Sequence, residues 1–390
     1  MQVGIWLPVY GGWLRTIDQP MAPDVPACLA IAQQAEAMGF DFLYASENLL
    51  NCIHGPDENV ADAWSLLGAI AAKTARIGLV GAVKPGFRSP FLVARMIDTL
   101  SQIAGRRLGI NIVCGWWRKE FELSAVPWLD HAGRYDRADE FLRVFYGLFN
   151  PPSEGMIELA GDEHAELTPA PPPTYGLRPE GLPYMWVSGH SEQATRMTAE
   201  WGDCLFLNGM SDDALAQHIF AARQAAMQWG REISVAVNAY VIATETREQA
   251  LARREAVVER RNTRTIGFFR DIMTESGAAA WAGLDDKQMV DSNAGLGAGL
   301  IGSFDDVRNR MERLAEIGVD TIVCQFDDPM RDAGPFMKRV IRPLRENADA
   351  DAPVSAAPDS SSPDTSRNAA PPWAKTPNAA GEQFHKRSAT

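Results

Sequence analysis

The 390-residue chain lacks the short motifs by which a sequence most directly declares its chemistry. It contains no HExxH helix, no regular Cys/His spacing and no GxSxG turn, so neither a metal centre nor a serine nucleophile is expected. Its five cysteines, Cys28, Cys52, Cys114, Cys204 and Cys324, are odd in number and widely spaced, with no CxxC pair. That argues against a disulfide framework and fits a reducing, cytoplasmic setting. No apolar run reaches the roughly 18 residues of a membrane span. The opening Gln2-Val-Gly-Ile-Trp-Leu-Pro8 has neither the basic nor the apolar region of a signal peptide. Blocks of Lys and Arg are missing too, and with a net charge of −13 the chain gives no support to nucleic acid or anionic membrane as a partner.

What the chain does have is a large apolar fraction, 46%, distributed in a regular alternation. Short apolar runs at 3–8, 41–45, 77–83, 108–113, 184–188, 203–207, 233–243 and 321–326 read as strands. Between them, segments of helical period fall at about 24–38, 62–74, 89–104, 132–149, 190–201, 212–229, 246–262 and 303–317, with a last one near 333–346. Ser89-Pro90 offers an N-cap followed by proline in the first turn, and Ser303-Phe-Asp-Asp306 resembles a capping box. Eight strand-helix units predict an α/β fold of the (β/α)8 TIM-barrel type, with an open doubly wound sheet as the alternative. Residues 1–346 form the expected barrel domain. Residues 347–390, rich in Pro, Ser and Ala, are an expected disordered tail. Two further segments break the alternation: Pro-rich 150–183, read as an inserted loop or hairpin, and 264–300, read as a lid or binding loop.

In such a barrel the active site forms at the C-terminal ends of the strands, where rigid stems carry variable loops. The candidate loops are 8–13, 46–54, 82–88, 111–117, 188–191, 208, 238–240 and 325–328. They are rich in aromatic and amide side chains and poor in acids and nucleophiles, a composition that leaves the chemistry to a cofactor. Ser188-Gly-His-Ser191 ends a strand and opens a helix; it can present free N–H groups to a phosphate or be an ordinary capped turn. Gly297-Ala-Gly-Leu-Ile-Gly302 matches GxGxxG literally, yet follows no strand of a βαβ unit and reads as a tight turn.

Asn111-Ile-Val-Cys-Gly-Trp-Trp-Arg-Lys-Glu-Phe-Glu122, followed by Trp128-Leu-Asp-His-Ala-Gly-Arg-Tyr-Asp-Arg-Ala-Asp-Glu-Phe141, resembles the bacterial-luciferase-like, FMNH2-dependent monooxygenases. The likeness is to the branch of dimethylsulfone, alkanesulfonate and pyrimidine-ring-opening enzymes. Gly39-Phe-Asp-Phe42, Ser89-Pro-Phe-Leu-Val-Ala-Arg95, Leu300-Ile-Gly302 and Gly318-Val-Asp320 follow in the family's order. The resemblance implies a two-component oxygenase that takes FMNH2 from a flavin reductase, uses O2 as co-substrate, and associates as a homodimer or homotetramer. It places Asn111, also near the oxygen site, with the backbone of Val113, Cys114 and Gly115 along the flavin ring, and Ala82 of the cofactor site stands where the pyrimidine oxygenase has a threonine near oxygen. Tyr135, Ser188, Gly189, His190 and Ser191 would hold the FMN phosphate. Read without the resemblance, Asn111 is better taken as a satisfied core amide, and Tyr135 is equally a helix residue with its ring in the core.

Departures from the family carry the substrate expectation. Asn238-Ala-Tyr240 stands where alkanesulfonate monooxygenase has Arg-x-His, a neutral residue near Asn293 replaces its loop arginine, and Asp327 replaces its tyrosine after the last strand. Losing cations from a site for a sulfonate disfavours a buried anion. A small neutral organosulfur compound such as a dialkyl sulfone, oxidised with cleavage of a C–S bond, is therefore expected. Asn111, Asn238, Tyr240 and Asp327 are the catalytic candidates. Asp327 could instead accept N–H donors of a pyrimidine, or it and Asp328 could cap the last helix. Oxidation of a heterocycle, alkanesulfonate oxidation, flavin binding without turnover and deazaflavin-dependent hydride transfer stand as alternatives.

Overall fold

The computed structural model describes residues 1–18, 22–105, 107–149, 177, 182–276 and 285–350, and every structural statement below concerns these residues. The strands are β1 (Gln2–Trp6), β2 (Phe42–Ala45), β3 (Gly78–Val83), β4 (Leu108–Ile112), β5 (Tyr184–Ser188), β6 (Cys204–Leu207), β7 (Ser234–Tyr240), β8 (Ile242–Thr244), β9 (Ile301–Ser303) and β10 (Thr321–Gln325). All except β8 and β9 close into one parallel barrel in the order β1-β10-β7-β6-β5-β4-β3-β2, the TIM-barrel topology expected from the alternation. Closure is made where Ile5 pairs with Cys324 and Tyr44 with Trp6.

The helices are α1 (Val25–Met38), α2 (Ala63–Ala71), α3 (Pro90–Ala104), α4 (Arg118–Leu123), α5 (His131–Phe149), α6 (Glu192–Trp201), α7 (Asp212–Gln228), α8 (Arg247–Glu259), α9 (Thr263–Ser276), α10 (Phe304–Ile317), α11 (Pro329–Phe336) and α12 (Arg342–Ala350). Their starts follow the capping chemistry of the sequence. Ser89 Oγ accepts from Leu92 N at 3.2 Å with Pro90 in the first turn of α3. The Ser303 and Asp306 side chains accept reciprocally from each other's backbone N–H, at 3.1 and 3.0 Å, to open α10.

Two expectations are corrected. The run 233–243 is not one strand: β7 ends at Tyr240, Val241 N donates to Gln325 O, and the chain turns off so that β8 pairs with β9. The segment 264–300 is not an irregular loop, because α9 occupies its first part and buries Ile266, Phe269, Ile272 and Met273 at spacings of three, three and one. That is a helical face, each such side chain being worth roughly 1.5–3 kcal/mol when withdrawn from water. The same segment ends in a 3₁₀ turn, Ser292–Ala298, in which Gly297 lies against the backbone of Gly209: a Cβ there would stand 3.0 Å from Gly209 O. The GxGxxG match is thus a packing turn. The last helix, α12, runs to Ala350. Most of the 150–183 insertion and the tail from 351 lie outside the described residues.

Candidate functional site

A cleft opens at the C-terminal mouth of the barrel, lined from the loops that follow β1 to β6 together with α5, α9 and the turn at Ser292 and Asn293. Its floor is the aromatic top layer of the barrel interior: Trp6 and Tyr44 meet edge to face at 4.8 Å between ring centroids, and Phe206 stands 5.4 Å from Tyr44. Strand pairing puts these inward-facing side chains on one level, which a sequence alone cannot align.

Asn111 lies beneath this floor, fully buried, and serves as a hub. Its Nδ2 donates to Tyr44 Oη at 2.8 Å, while its Oδ1 accepts from Ser188 Oγ at 2.9 Å. Ser188 lines the cleft, so the amide ties the fourth strand to both the aromatic floor and the fifth-strand loop. Ala82 and the segment Val113, Cys114 and Gly115 line the adjoining wall. Burial pushes the Cys114 thiol up to about 12 and the Cys52 thiol up to about 11, against the opposing influence of Arg134 and Arg15 respectively. Neither cysteine is a thiolate at neutral pH.

One corner of the cleft gathers Arg134, Tyr135 and the turn from Ser188 to Ser191. Gly189 has φ +150, and a Cβ there would lie 2.8 Å from both Ala194 Cβ and Tyr135 Oη, so the backbone passes this point only as glycine. Ser191 caps α6, accepting from Ala194 N at 3.2 Å and donating to Tyr135 Oη at 3.1 Å. The helix therefore points its N–H groups and positive dipole end at the cleft. Arg134, one residue before Tyr135, also lines it; its guanidinium lies 4.2 Å from the Trp128 ring and donates to Leu129 O, leaving a buried Nε with no partner. His190 is different: its Nε2 accepts from Asn208 N at 2.9 Å, and burial, with His218 nearby, lowers its pKa to about 4. It shapes the corner as a neutral ring.

The opposite wall holds a buried charge pair. Lys84 Nζ contacts Glu120 Oε2 and Asn48 Oδ1, and Glu120 Oε1 accepts from Leu49 N at 2.7 Å. Asn48 donates in turn to Tyr10 Oη, which also accepts from Ser46 Oγ at 2.9 Å. Glu120, a residue of the family-like stretch with no role evident from the sequence, thereby joins α4 to the loops after β2 and β3. Above the cleft, α9 brings Phe269 to Trp116 at 6.2 Å and beneath the Arg15 guanidinium at 3.6 Å.

The loops following β1 to β6 contribute as the sequence predicts, but the last two candidate loops do not. Asn238 is fully buried, donating to Ser292 O at 3.3 Å and Asn293 O at 3.4 Å, where it anchors the turn instead of facing the cleft. Tyr240 is buried behind that turn, its hydroxyl without a partner among the described residues and its pKa driven up by burial and by Asp327. Asp327 makes ion pairs with Arg331 at 3.1 Å and Arg253 at 3.6 Å, and Asp328 caps α11 through Met330 N and Arg331 N. The turn at 292–298 packs on Asn238 and Tyr240, while Asp327 is exposed outside the cleft lining. Arg15, Arg134 and Phe269 were missed. A signal existed only for Arg134, which sits inside the family-like run.

Among the described residues no group of three His, Cys, Asp or Glu side chains is placed to hold a metal, and no helix is long and apolar enough to cross a membrane. Fold and site together define a (β/α)8-barrel protein whose mouth carries an aromatic-floored cleft. The chain belongs to the luciferase-like monooxygenase family, whose model matches residues 1–321. It is 29% identical over 351 residues to an FMNH2-dependent dimethylsulfone monooxygenase of Pseudomonas putida, covering 87% of this chain and 94% of that one. It is 28% identical over 380 residues to a pyrimidine monooxygenase of Allorhizobium ampelinum, covering 90% and 99%. Among solved structures, DmoA from Hyphomicrobium sulfonivorans shares the fold with a TM-score of 0.72 at 18% identity, over 98% of this chain and 95% of that one. A long-chain alkane monooxygenase does so at 0.72 and 18%, over 89% and 92%.

Proposed function

We propose that the cleft binds reduced FMN supplied by a flavin reductase, and that the protein uses O2 to cleave a C–S bond of a small neutral organosulfur compound, a dialkyl sulfone being the type case. The observation that carries the reading is the corner of Gly189, Ser191, Tyr135 and Arg134 at one end of a cleft with an aromatic floor. The unpartnered Arg134 Nε is a donor that a phosphate oxygen would satisfy. Asn111 beneath and the backbone from Val113 to Gly115 alongside would orient the ring, and Ala82 would leave room beside it. Similarity to dimethylsulfone monooxygenases at 29% and 28% identity supports the sulfone. The pyrimidine reading is weakened, since the carboxylate that favoured it, Asp327, is engaged with Arg253 and Arg331.

When bound, reduced flavin supplies the two electrons and the site of O2 activation. For dimethyl sulfone the balance is one sulfone, one O2 and one FMNH2 giving methanesulfinic acid, formaldehyde, FMN and water. The chain's own residues bind, orient and exclude water: the Trp116 and Phe269 pair and the turn at Ser292 roof the cleft. No cleft cysteine or histidine is needed as a nucleophile. Self-association as a dimer or tetramer belongs to the same reading.

The test supplies FMNH2 from a reductase and measures sulfinate and formaldehyde released from dimethyl sulfone. Stoichiometric release is expected; no release from any sulfone, with FMNH2 bound, would sink the substrate assignment. Arg134→Met should weaken FMN binding about tenfold to a hundredfold, as for loss of a hydrogen bond to a charged group. Unchanged affinity in a fluorescence titration would move the phosphate elsewhere.

A further inference from the structure

Two arginines line the cleft with a buried Nε that has no partner: Arg134 at the corner with Ser191, and Arg15 in the loop after β1. The barrel order sets β1 four places from β5 around a ring of eight, so Arg15 faces that corner from across the mouth. A phosphate held at Ser191 therefore leaves Arg15 unused. Its side chain is only 1% exposed, and it is fixed by three contacts. Nη1 donates to Met289 O at 3.0 Å and to Asp291 O at 2.8 Å, and the guanidinium plane lies over Phe269. Burial lowers its pKa to about 10, which still leaves it cationic at neutral pH. No carboxylate among the described residues lies within ion-pair distance of it.

A rigid, stacked guanidinium whose buried Nε–H has no partner is costly unless something accepts from it. The surroundings narrow what that can be. Trp13 and Phe269 are apolar walls, and Trp13 packs at 5.1 Å on Trp6 of the cleft floor. The nearby hydroxyls of Tyr10 and Ser46 already bond each other. The geometry points to Arg15 as the grip on the substrate: its Nε–H donates to one oxygen of a sulfonyl group whose alkyl arms lie against Trp13 and Phe269. A sulfone oxygen fits because it accepts and never donates. A sulfonate would lie close to the Asp291 carboxyl group. This inference rests on the sulfone reading above and assigns it a residue.

The experiment measures binding of dimethyl sulfone, dimethyl sulfide and methanesulfonate by calorimetry to the FMN-loaded protein, in the wild type, Arg15→Met and Arg15→Lys. FMN affinity and the kcat and KM for sulfinate release are followed in parallel. In the wild type, sulfone is expected to bind tighter than sulfide or sulfonate. Arg15→Met should weaken sulfone about tenfold to a hundredfold, raise KM by a similar factor, and leave sulfide and FMN affinity within about twofold. Arg15→Lys keeps the charge without the stacked fork, and serves if the methionine variant does not fold; it should also lose sulfone selectively. Unchanged sulfone affinity in a variant that still binds FMN would overturn the assignment, as would a wild type that prefers sulfonate. A wild type that binds FMN but neither binds nor oxidises any sulfone would instead bring down the substrate reading itself.

Discussion

At the scale of single residues, the environment of a side chain decides whether it reaches the chemistry. Tyr240 and Asn238 stand at the end of a barrel strand, the position that usually faces a ligand, yet both are covered by the turn Ser292–Ala298. Asn238 spends its donor on that turn, and Tyr240 keeps a buried hydroxyl without a partner. Removing an unpaired buried hydroxyl relieves a desolvation penalty, so Tyr240→Phe should leave turnover unchanged and hold or raise stability, by up to about 1–3 kcal/mol. Denaturant melts and sulfinate release measure both; a loss of turnover with the fold intact would return Tyr240 to the site. Asn111 shows the converse. Its chain neighbours mark it as special, and its amide is satisfied within the core while holding Ser188 at the cleft wall.

Between elements, the cleft depends on a clamp that no single loop contains. Lys84 follows β3, Glu120 belongs to α4, and Leu49 and Leu50, whose N–H groups donate to Glu120, follow β2. With Lys84 and Glu120 both about fully buried, breaking the pair from one side strands the other charge. Glu120→Ala is therefore expected to cost about 3–5 kcal/mol, while a double replacement by apolar residues, Lys84→Met with Glu120→Leu, should cost clearly less. Chemical denaturation of the three proteins tests this; equal losses in single and double variants would show that the backbone bonds to Glu120, not the charge pair, carry the effect. The helix α9 acts at the same scale: its buried face carries Phe269 to both Trp116 and Arg15, tying the loops after β4 and β1 under one roof.

Across the whole molecule, buried titrating groups at the mouth set opposing pH dependences. Burial holds Asp291 up to about 7, against an unfolded value of 3.8, with Leu296 N and Arg15 pulling the other way. The folded protein thus keeps a proton that the unfolded chain releases. This contribution is fully present below about pH 4 and is lost as pH rises through about 7. His54 and His190 are lowered to about 4 from 6.5, chiefly by burial, so their contribution is present above 6.5 and lost as pH falls through about 4. Asp291→Asn should match the wild-type melting temperature near about pH 4 and exceed it by a few degrees near about pH 8. A constant offset across that range would mean that the carboxylate is charged throughout.

Much of this was legible in the chain because it is local. Strand and helix periods, the Ser89 and Ser303 caps, the family-like run from Asn111 to Phe141 and the Ser188 to Ser191 turn are all written within a few residues of each other, where propensity and hydrogen-bond geometry act. The six loops that follow β1 to β6 were placed at the mouth correctly because a strand's end fixes where its loop emerges. What only the tertiary structure decided is which distant pieces meet there. Arg15 bonds Met289 across 274 positions, and Asn293 reaches Asn208 across 85. Such pairs carry no short-range signal. They exist because closing β1 onto β10 brings the first loop beside the segment that precedes the last strand, and the turn carried there covers Asn238 and Tyr240 while leaving Arg15 at the cleft wall.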